Sequence, residues 1–283
     1  MNEFDHLLKQ LGQQIETEIQ EGRLNFPTAF DVSVRVKKLA DNPDTTMDEL
    51  ARVVMAEPVL SAKAVRMANA VMLNPYGPKV TNVRDALVRI GLTALRCLAF
   101  AVAAEQLARD NRSPKLRMLA SGLWLQTMDG ACWAHAIAHR SRAAKADTAF
   151  FAAMMKNIGQ FFVLARASMF PGVDGNIEEF ARFVLRWHKP IRRSLIESFD
   201  LPDDIELVVN DDEARAPIYP QDLADVLAMA ESVCATPNPF DRVLARQAPK
   251  DAAAEPAPLP EDVEQLADNV RELHDALLAS LGN

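Results

Sequence analysis

The sequence predicts an all-α fold, and three observations support this prediction. Apolar residues recur at spacings of three and four along most of the 283-residue chain, and few stretches show the period of two that a half-buried strand requires. Glycine is scarce, at 10 residues, while alanine and leucine dominate. The content of 49% hydrophobic and 25% charged residues is that of an ordinary globular protein, which can bury a sizeable core.

Local signals mark the helix ends in the first half of the chain. Thr46 and Glu49 form a capping-box pattern, in which each side chain accepts from the backbone N–H at the other position. Pro58 suits the first turn of a helix, where no backbone N–H is needed. Gly91 is expected to separate a short helix from a long apolar one. The predicted helices of this half are 3–21, 28–40, 47–56, 58–70, 82–90 and 93–109.

The second half is organised around a central apolar helix predicted over residues 147–166. Asp147 is placed to cap its first turn, and one polar pair, Lys156 and Asn157, lies in its middle. Such a pair marks either a strip that reaches solvent, the commoner case, or a site that faces a cleft. The other helices predicted here are 114–142 (capped by Ser113), 176–187, 190–199, a short helix opened by Pro202, and one that follows Pro220.

The C-terminal region differs in composition from the rest of the chain. Residues 245–260 are rich in alanine and proline without periodicity, which predicts an extended, poorly ordered linker. Residues 261–281 carry apolar residues at helical spacing and predict a last amphipathic helix. Docking of this helix on its own chain is favoured over docking on another, and a homodimer through the terminal helices 3–21 and 261–281 is left open.

Charge and cysteine content narrow the classes of partner. The net charge is −8, and residues 251–283 alone contribute eight acidic side chains against one basic. A nearly neutral body with an acidic tail predicts no nucleic-acid partner. Cys97, Cys132 and Cys234 are odd in number and far apart, which indicates reduced thiols in a cytoplasmic protein. No signal peptide is visible, and the longest apolar run, 97–104, is too short to span a bilayer, so no membrane association is expected.

Three segments then follow in order: 26–69, 80–103 and the element Met-Met-Lys-Asn-Ile-Gly at 154–159. They contain an Asn-Pro-Asp turn, a Glu-Pro ahead of a helix that ends in Met-Ala-Asn, and an Ile-Gly-Leu break. In this order they resemble the HDOD family, the HD-related output domain of bacterial signalling proteins, over about residues 26–235. The resemblance implies a two-lobed helical bundle. Its expected parts are an N-terminal lobe with the HDOD signature (1–112), a degenerate HD-like lobe (113–244), the linker (245–260) and the C-terminal amphipathic helix (261–283).

The resemblance also indicates where a catalytic HD protein would hold its metal. Those positions are Thr127, Lys156, Asn157 and His188 here, and a further histidine pair would fall near 212–213, where this chain has acidic residues. Lysine brings a positive charge where a cation would need lone pairs, and one surviving imidazole gives little metal affinity. The resemblance therefore implies no catalytic residue, no metal and no cofactor.

The function that the resemblance implies is a non-catalytic regulatory module whose partners are other signalling proteins. Two alternatives stay open: a residual metal-dependent phosphohydrolase or phosphodiesterase, and a metal-free nucleotide or anion sensor that uses Lys156 as a point charge in the HD-like cleft. His135 and His139 share a helix face, but a zinc site would need a third ligand, so a solvated face is favoured. Asp129 is the expected carboxylate partner of Lys156.

Overall fold

The computed structural model describes residues 3–22, 35–36, 39–40, 42–69, 78–110, 112–198, 203–213, 215, 217–245, 266–271 and 274–275. Within these ranges eleven α-helices have defined bounds and no residue lies in a strand, which confirms the all-α prediction. In chain order they are α1 (Glu3–Gln20), α2 (Met47–Met55), α3 (Pro58–Ala68), α4 (Val83–Asp110), α5 (Pro114–Ser141), α6 (Ala146–Lys156), α7 (Ile158–Ala167), α8 (Ile177–Ser198), α9 (Asp203–Asn210), α10 (Leu223–Val233) and α11 (Pro239–Ala245).

The chain forms two compact units. The larger comprises residues 1–26 and 107–265, and the smaller comprises residues 27–106 and 266–283. The sequence instead predicts the first helix as part of an N-terminal lobe over residues 1–112. The structure groups α1 with the larger unit because its apolar face packs on α8.

Two features attach α1 to the larger unit. Leu11 and Ile15 on its apolar face are fully buried. On the flanking side, Arg166 of α7 donates two hydrogen bonds to Glu18, at 3.0 and 2.9 Å. Both charged side chains are mostly buried, so the ion pair is protected from solvent screening. The helix predicted over residues 3–21 is therefore confirmed, as Glu3–Gln20, and it packs on the body of its own chain.

In the smaller unit, the local signals in the sequence are confirmed. Thr46 and Glu49 make both bonds of the capping box ahead of α2, and Pro58 occupies the first turn of α3. Asn69 closes the end of α3 by donating to the carbonyl of Val80 and accepting from its N–H, at 2.7 and 2.8 Å. Gly91 interrupts α4 with φ 78° and ψ 167°, a conformation that favours glycine.

Several predictions for this unit and the tail fall on residues that lie outside the described part of the chain. These are most of the predicted helix 28–40 and the linker from residue 246 to 260. The C-terminal helix is described only in part: residues 267–271 are helical, and Leu266 and Val270 are buried.

The core of the larger unit is built on α6 and α7. Every residue of α7 except Arg166 is buried, and α7 packs on α8 while α6 packs on α5 and α9. By length and composition the stretch Thr148–Ala167 could cross a membrane, and 78% of its most apolar window is buried inside the protein. Such burial is typical of a core helix.

Two expectations for the central helix are wrong. The single helix predicted over residues 147–166 is interrupted at Asn157, whose φ of −95° and ψ of 2° separate α6 from α7. The N-cap of α6 is Lys145, without a side-chain cap bond, so Asp147 lies inside the first turn and does not cap it. At this interruption the Asn157 side chain points toward α5, where it donates hydrogen bonds to Gln126 and Thr127.

The helix α8 is also longer than the sequence predicts. A break was expected at Pro190, between helices 176–187 and 190–199, but one helix continues through that residue. Pro190 is exposed, so water can bond to the carbonyl that the missing N–H leaves without a partner. Continuity of α8 places His188 and Arg192, four residues apart, on one helix face.

Candidate functional site

A cavity of about 570 Å³ opens in the larger unit between α5, α6, α8, α10 and the segment that follows α9. The four positions singled out in the sequence, Thr127, Lys156, Asn157 and His188, all line this cavity. The polar pair Lys156 and Asn157 therefore faces a cleft and is not a solvated strip; both residues are only partly exposed. Asp212 and Glu213, which stand where a histidine pair was expected, line the same space.

Asn157 is the centre of a network of neutral hydrogen bonds. Its amide donates to Gln126 Oε1 at 2.7 Å and to Thr127 Oγ1 at 2.9 Å. The Thr127 hydroxyl, which is 2% exposed, in turn donates to the carbonyl of Leu123 at 2.7 Å. The Asn157 amide nitrogen and the Thr127 hydroxyl therefore already have hydrogen-bond partners within the protein.

The network continues from Asn157 toward α11. Gln160 donates to Asn157 Oδ1 at 3.4 Å and accepts at 3.0 Å from Asn238, whose own oxygen accepts from the N–H of Phe240. Phe240 is fully buried, so this chain of amides joins the helix break at Asn157 to the core. Sequence reasoning missed Gln160 and Asn238, because α11 was not predicted and the two residues are 78 positions apart.

Lys156 does not pair with Asp129, so that prediction is wrong. Its ammonium donates to the backbone carbonyl of Asp211 at 2.7 Å. Burial, and then the charge of Arg192, hold the pKa of Lys156 below its usual value. Asp129 accepts instead from the N–H of Thr236 at 3.0 Å and from the Cys234 thiol at 3.4 Å, which ties α5 to the loop after α10.

The α8 wall of the cavity carries two nitrogen atoms that are buried and have no hydrogen-bond partner, His188 Nδ1 and Arg192 Nε. Arg192 is 3% exposed, and its Nη2 donates to Asp212 at 2.7 Å. Burial and the neighbouring charges of Arg192 and Lys189 lower the pKa of His188 to about 4, so its imidazole is neutral at pH 7. Arg192 was missed in the sequence, because the break predicted at Pro190 separated it from His188.

The charges around this wall are unequally matched. Asp212 accepts from Arg192 and lies 3.5 Å from Lys189, so two cations share one carboxylate. Asp211 is paired with Arg215 at 2.8 Å. Burial raises the pKa of Asp212, but the hydrogen bond and the charge of Arg192 outweigh this and hold the pKa below its usual value. Three further carboxylates line the cavity, those of Glu213, Glu231 and Asp241, and these residues are exposed, as Asp212 is.

The helix α7, which follows Asn157, lies very close to α8, which carries His188 and Arg192. A Cβ atom added at Gly159 would lie 2.0 Å from the carbonyl oxygen of His188 and 3.1 Å from the N–H nitrogen of Arg192. No side chain fits at this position unless the two backbones separate. Gly159 therefore allows the helix that follows Asn157 to lie directly against the helix that carries the two orphaned nitrogens.

Residues 26–172, just over half of the chain, match the family model of the HDOD domain. The chain belongs to the HDOD domain family. This membership confirms the resemblance found in the three ordered sequence segments. No protein of curated function matches the chain.

Solved structures share the fold of this HDOD protein. A "putative metal-dependent phosphohydrolase" from Shewanella amazonensis SB2B superposes with a TM-score of 0.65 at 21% identity, over 98% of this chain and 99% of that one. An HDOD domain protein of unknown function from Geobacter sulfurreducens gives 0.60 at 21% identity, over 94% and 99%. A "putative signal transduction protein" from Marinobacter aquaeolei VT8 gives 0.56 at 18% identity, over 97% of this chain and 66% of that one. At these identities the likeness shows the fold alone.

The metal that one of these names implies does not fit the residues of this HDOD cleft. A divalent cation needs lone pairs, but Lys156 presents an ammonium group and Asn157 turns its N–H groups toward oxygen atoms of the neighbouring wall. The Thr127 oxygen is taken by that same amide. Of the four positions that the resemblance indicates, His188 alone retains a nitrogen that could bind a metal, and one ligand does not make a site.

The second candidate for a metal site, His135 and His139 on α5, forms a stacked pair with ring centroids 6.4 Å apart. His135 also contacts the edge of Phe150. In the described part of the chain, no three or more His, Cys, Asp or Glu side chains form a group that could hold a metal ion. The pair is a packed feature of the α5 surface.

Proposed function

We propose that this HDOD protein is a non-catalytic regulatory module in bacterial signal transduction and acts by contact with other signalling proteins. The observation that carries the proposal is the Asn157 network, in which an amide donates to Gln126 and Thr127 where a metal centre would need lone pairs. Family membership and the name of the Marinobacter relative support a place in signalling.

A residual phosphohydrolase is the less favoured function for the same cleft. Hydrolysis of a phosphodiester in this superfamily would need a metal-bound water with a lowered pKa. The cleft instead offers an ammonium, a neutral amide network and one neutral imidazole. None of these groups supplies the metal-bound water that this hydrolysis would need.

A hydrolysis assay tests the non-catalytic part of the proposal. The purified chain is incubated with cyclic dinucleotides, nucleoside monophosphates and bis(p-nitrophenyl) phosphate, with Mn²⁺ or Mg²⁺ added. We expect no turnover above that of the metal alone. Turnover that the His188→Asn variant loses would replace the proposal with the residual phosphohydrolase.

A crosslinking experiment tests the regulatory part. The tagged chain is crosslinked in its native host, each captured protein is purified, and binding to the isolated chain is measured directly. We expect at least one signalling protein to form a complex of fixed stoichiometry. If every captured protein fails to bind the isolated chain, a role through protein contact is contradicted.

A further inference from the structure

The strongest unexplained feature of the cavity is Arg192. A buried guanidinium with an unpaired N–H is unfavourable, because that group has lost its water without gaining another partner. Arg192 is 3% exposed, lines the cavity, and leaves Nε without a partner while Nη2 is held by Asp212. A ligand with an oxygen acceptor would satisfy the Nε–H group without disturbing the Asp212 ion pair.

His188 presents a second orphaned nitrogen from the same helix face. Its Nδ1 is buried and unpartnered, and the side chain lines the same cavity four residues before Arg192. Since the imidazole is neutral at pH 7, one of its ring nitrogens carries a proton and can donate a hydrogen bond, and the other can accept one. His188 Nδ1 and Arg192 Nε are thus two buried nitrogens on one helix face for which the structure shows no hydrogen-bond partner.

Lys156 adds a charged donor from α6. An ammonium carries three protons, and the structure shows one bond, to the carbonyl of Asp211, which has no net charge. Four cations line the cavity, Lys156, Lys189, Arg192 and Arg215, and so do five carboxylates, of which Asp211 and Asp212 form ion pairs with Arg215 and Arg192. The Lys156 ammonium therefore keeps two protons for which the described part of the chain shows no acceptor.

We propose that this cavity binds a phosphate group, without a metal ion, through Lys156, His188 and Arg192. A phosphate monoester has three terminal oxygens and can accept from three separate donors on two helices, whereas a carboxylate has two. The volume of about 570 Å³ lies in the range of small-ligand sites and is large enough for a mononucleotide. The proposal rests on the non-catalytic function proposed above, for which it supplies the regulatory ligand.

Isothermal titration calorimetry and ³¹P NMR, both with EDTA present, test this site. The probes are inorganic phosphate, AMP and GMP, with adenosine and guanosine as phosphate-free controls. The main variant is Lys156→Met, and the matched control is Arg193→Met, which removes one positive charge from an exposed position on α8 outside the cavity lining. We expect Lys156→Met to weaken binding about tenfold or more, as for loss of a charged hydrogen bond, and Arg193→Met to leave it within about twofold.

Comparison of the affinities for the three probes distinguishes a free phosphate ion from a phosphate ester as the ligand. Equal affinity for inorganic phosphate and the two nucleotides assigns the free anion as the ligand, and tighter binding of a nucleotide assigns the ester. His188→Asn provides a second variant if Lys156→Met does not fold, as judged by circular dichroism, and it should weaken binding several-fold.

Two results would overturn the inference: no binding of any probe at about 5 mM, or binding that both Lys156→Met and His188→Asn leave unchanged. Failure of the proposed function is a separate result. Hydrolysis of a bound nucleotide after addition of Mn²⁺ would refute the non-catalytic role while leaving the phosphate site in place. Absence of binding without turnover would remove the phosphate site and leave the non-catalytic role intact.

Discussion

The contact at Gly159 makes a sharp prediction about the stability of the site. In Gly159→Ala the new methyl group would lie 2.0 Å from the His188 carbonyl oxygen, whereas ordinary contact begins at 3.4 Å. All three nearest atoms belong to the α8 backbone, so no side chain can rotate away and the two helices must separate. Overpacking of a well-packed core destabilises by about 1–3 kcal/mol, and a backbone clash belongs at the upper end of that range.

The net effect follows from two opposed contributions. Alanine favours a helix over glycine by about 1 kcal/mol, which offsets part of a clash of about 3 kcal/mol. We therefore expect the free energy of unfolding of Gly159→Ala to fall by about 2 kcal/mol. For a unit of this size that is a decrease in Tm of about 4–8 °C.

Gly130→Ala is the matched control, since Gly130 lies inside α5 and a Cβ atom there meets nothing within 4 Å. It should be stabilising by up to about 1 kcal/mol. Thermal and urea unfolding, followed by circular dichroism, measure both variants. If Gly159→Ala is as stable as the parent while Gly130→Ala is stabilised, the close approach of α7 to His188 and Arg192 is refuted.

Three further predictions concern the cleft and the linker. The double variant Lys156→His with Asn157→Asp places a carboxylate against the oxygens that now accept from the Asn157 amide. We therefore expect its Tm to fall by about 4 °C or more, and Mn²⁺ should not restore it. Equal stability with further stabilisation by Mn²⁺ would indicate a nearly intact metal site. Because the pKa of His188 is about 4 in the folded protein and 6.5 is its usual value, the unfolded chain takes up the proton first as pH falls. Stability should therefore decline by up to about 3 kcal/mol from pH 6.5 to pH 4, and urea unfolding of His188→Asn should show a smaller decline; an equal decline in both proteins would contradict the shift. Limited proteolysis should cut first within residues 245–260, because this Ala/Pro-rich sequence cannot bury a core, and protection of that stretch while other loops are cut would argue against a linker.

The helix ends were predictable where a signal and its partner lie within a few residues. The Thr46–Glu49 capping box, Ser113 at the start of α5 and the interruption at Gly91 are all present as predicted. Each depends on local backbone geometry, which short sequence patterns specify directly. The errors at Asp147 and Pro190 have the opposite origin. At both positions the local chemistry of a helix boundary is present, but the helix includes the residue.

The site was predictable only as a set of positions. The resemblance to the HDOD family placed Thr127, Lys156, Asn157 and His188 together, and the structure brings all four to one cavity. Their roles in binding or regulation stay predictions. Arg192 could have been found from its spacing of four after His188, had α8 been treated as continuous.

Composition and periodicity alone predict an all-α chain with a neutral body and an acidic tail, and the resemblance to the HDOD family implies that Lys156 stands where a catalytic HD protein has a metal ligand. They do not determine what satisfies that lysine. Its partner is the carbonyl of Asp211, 55 residues away, and Gln160 meets Asn238 at a separation of 78 residues. Such pairs depend on the distance and rotation of packed helices, which are set by the shapes of many core side chains at once. A spacing pattern along one helix carries no information about the group that a second helix brings opposite it.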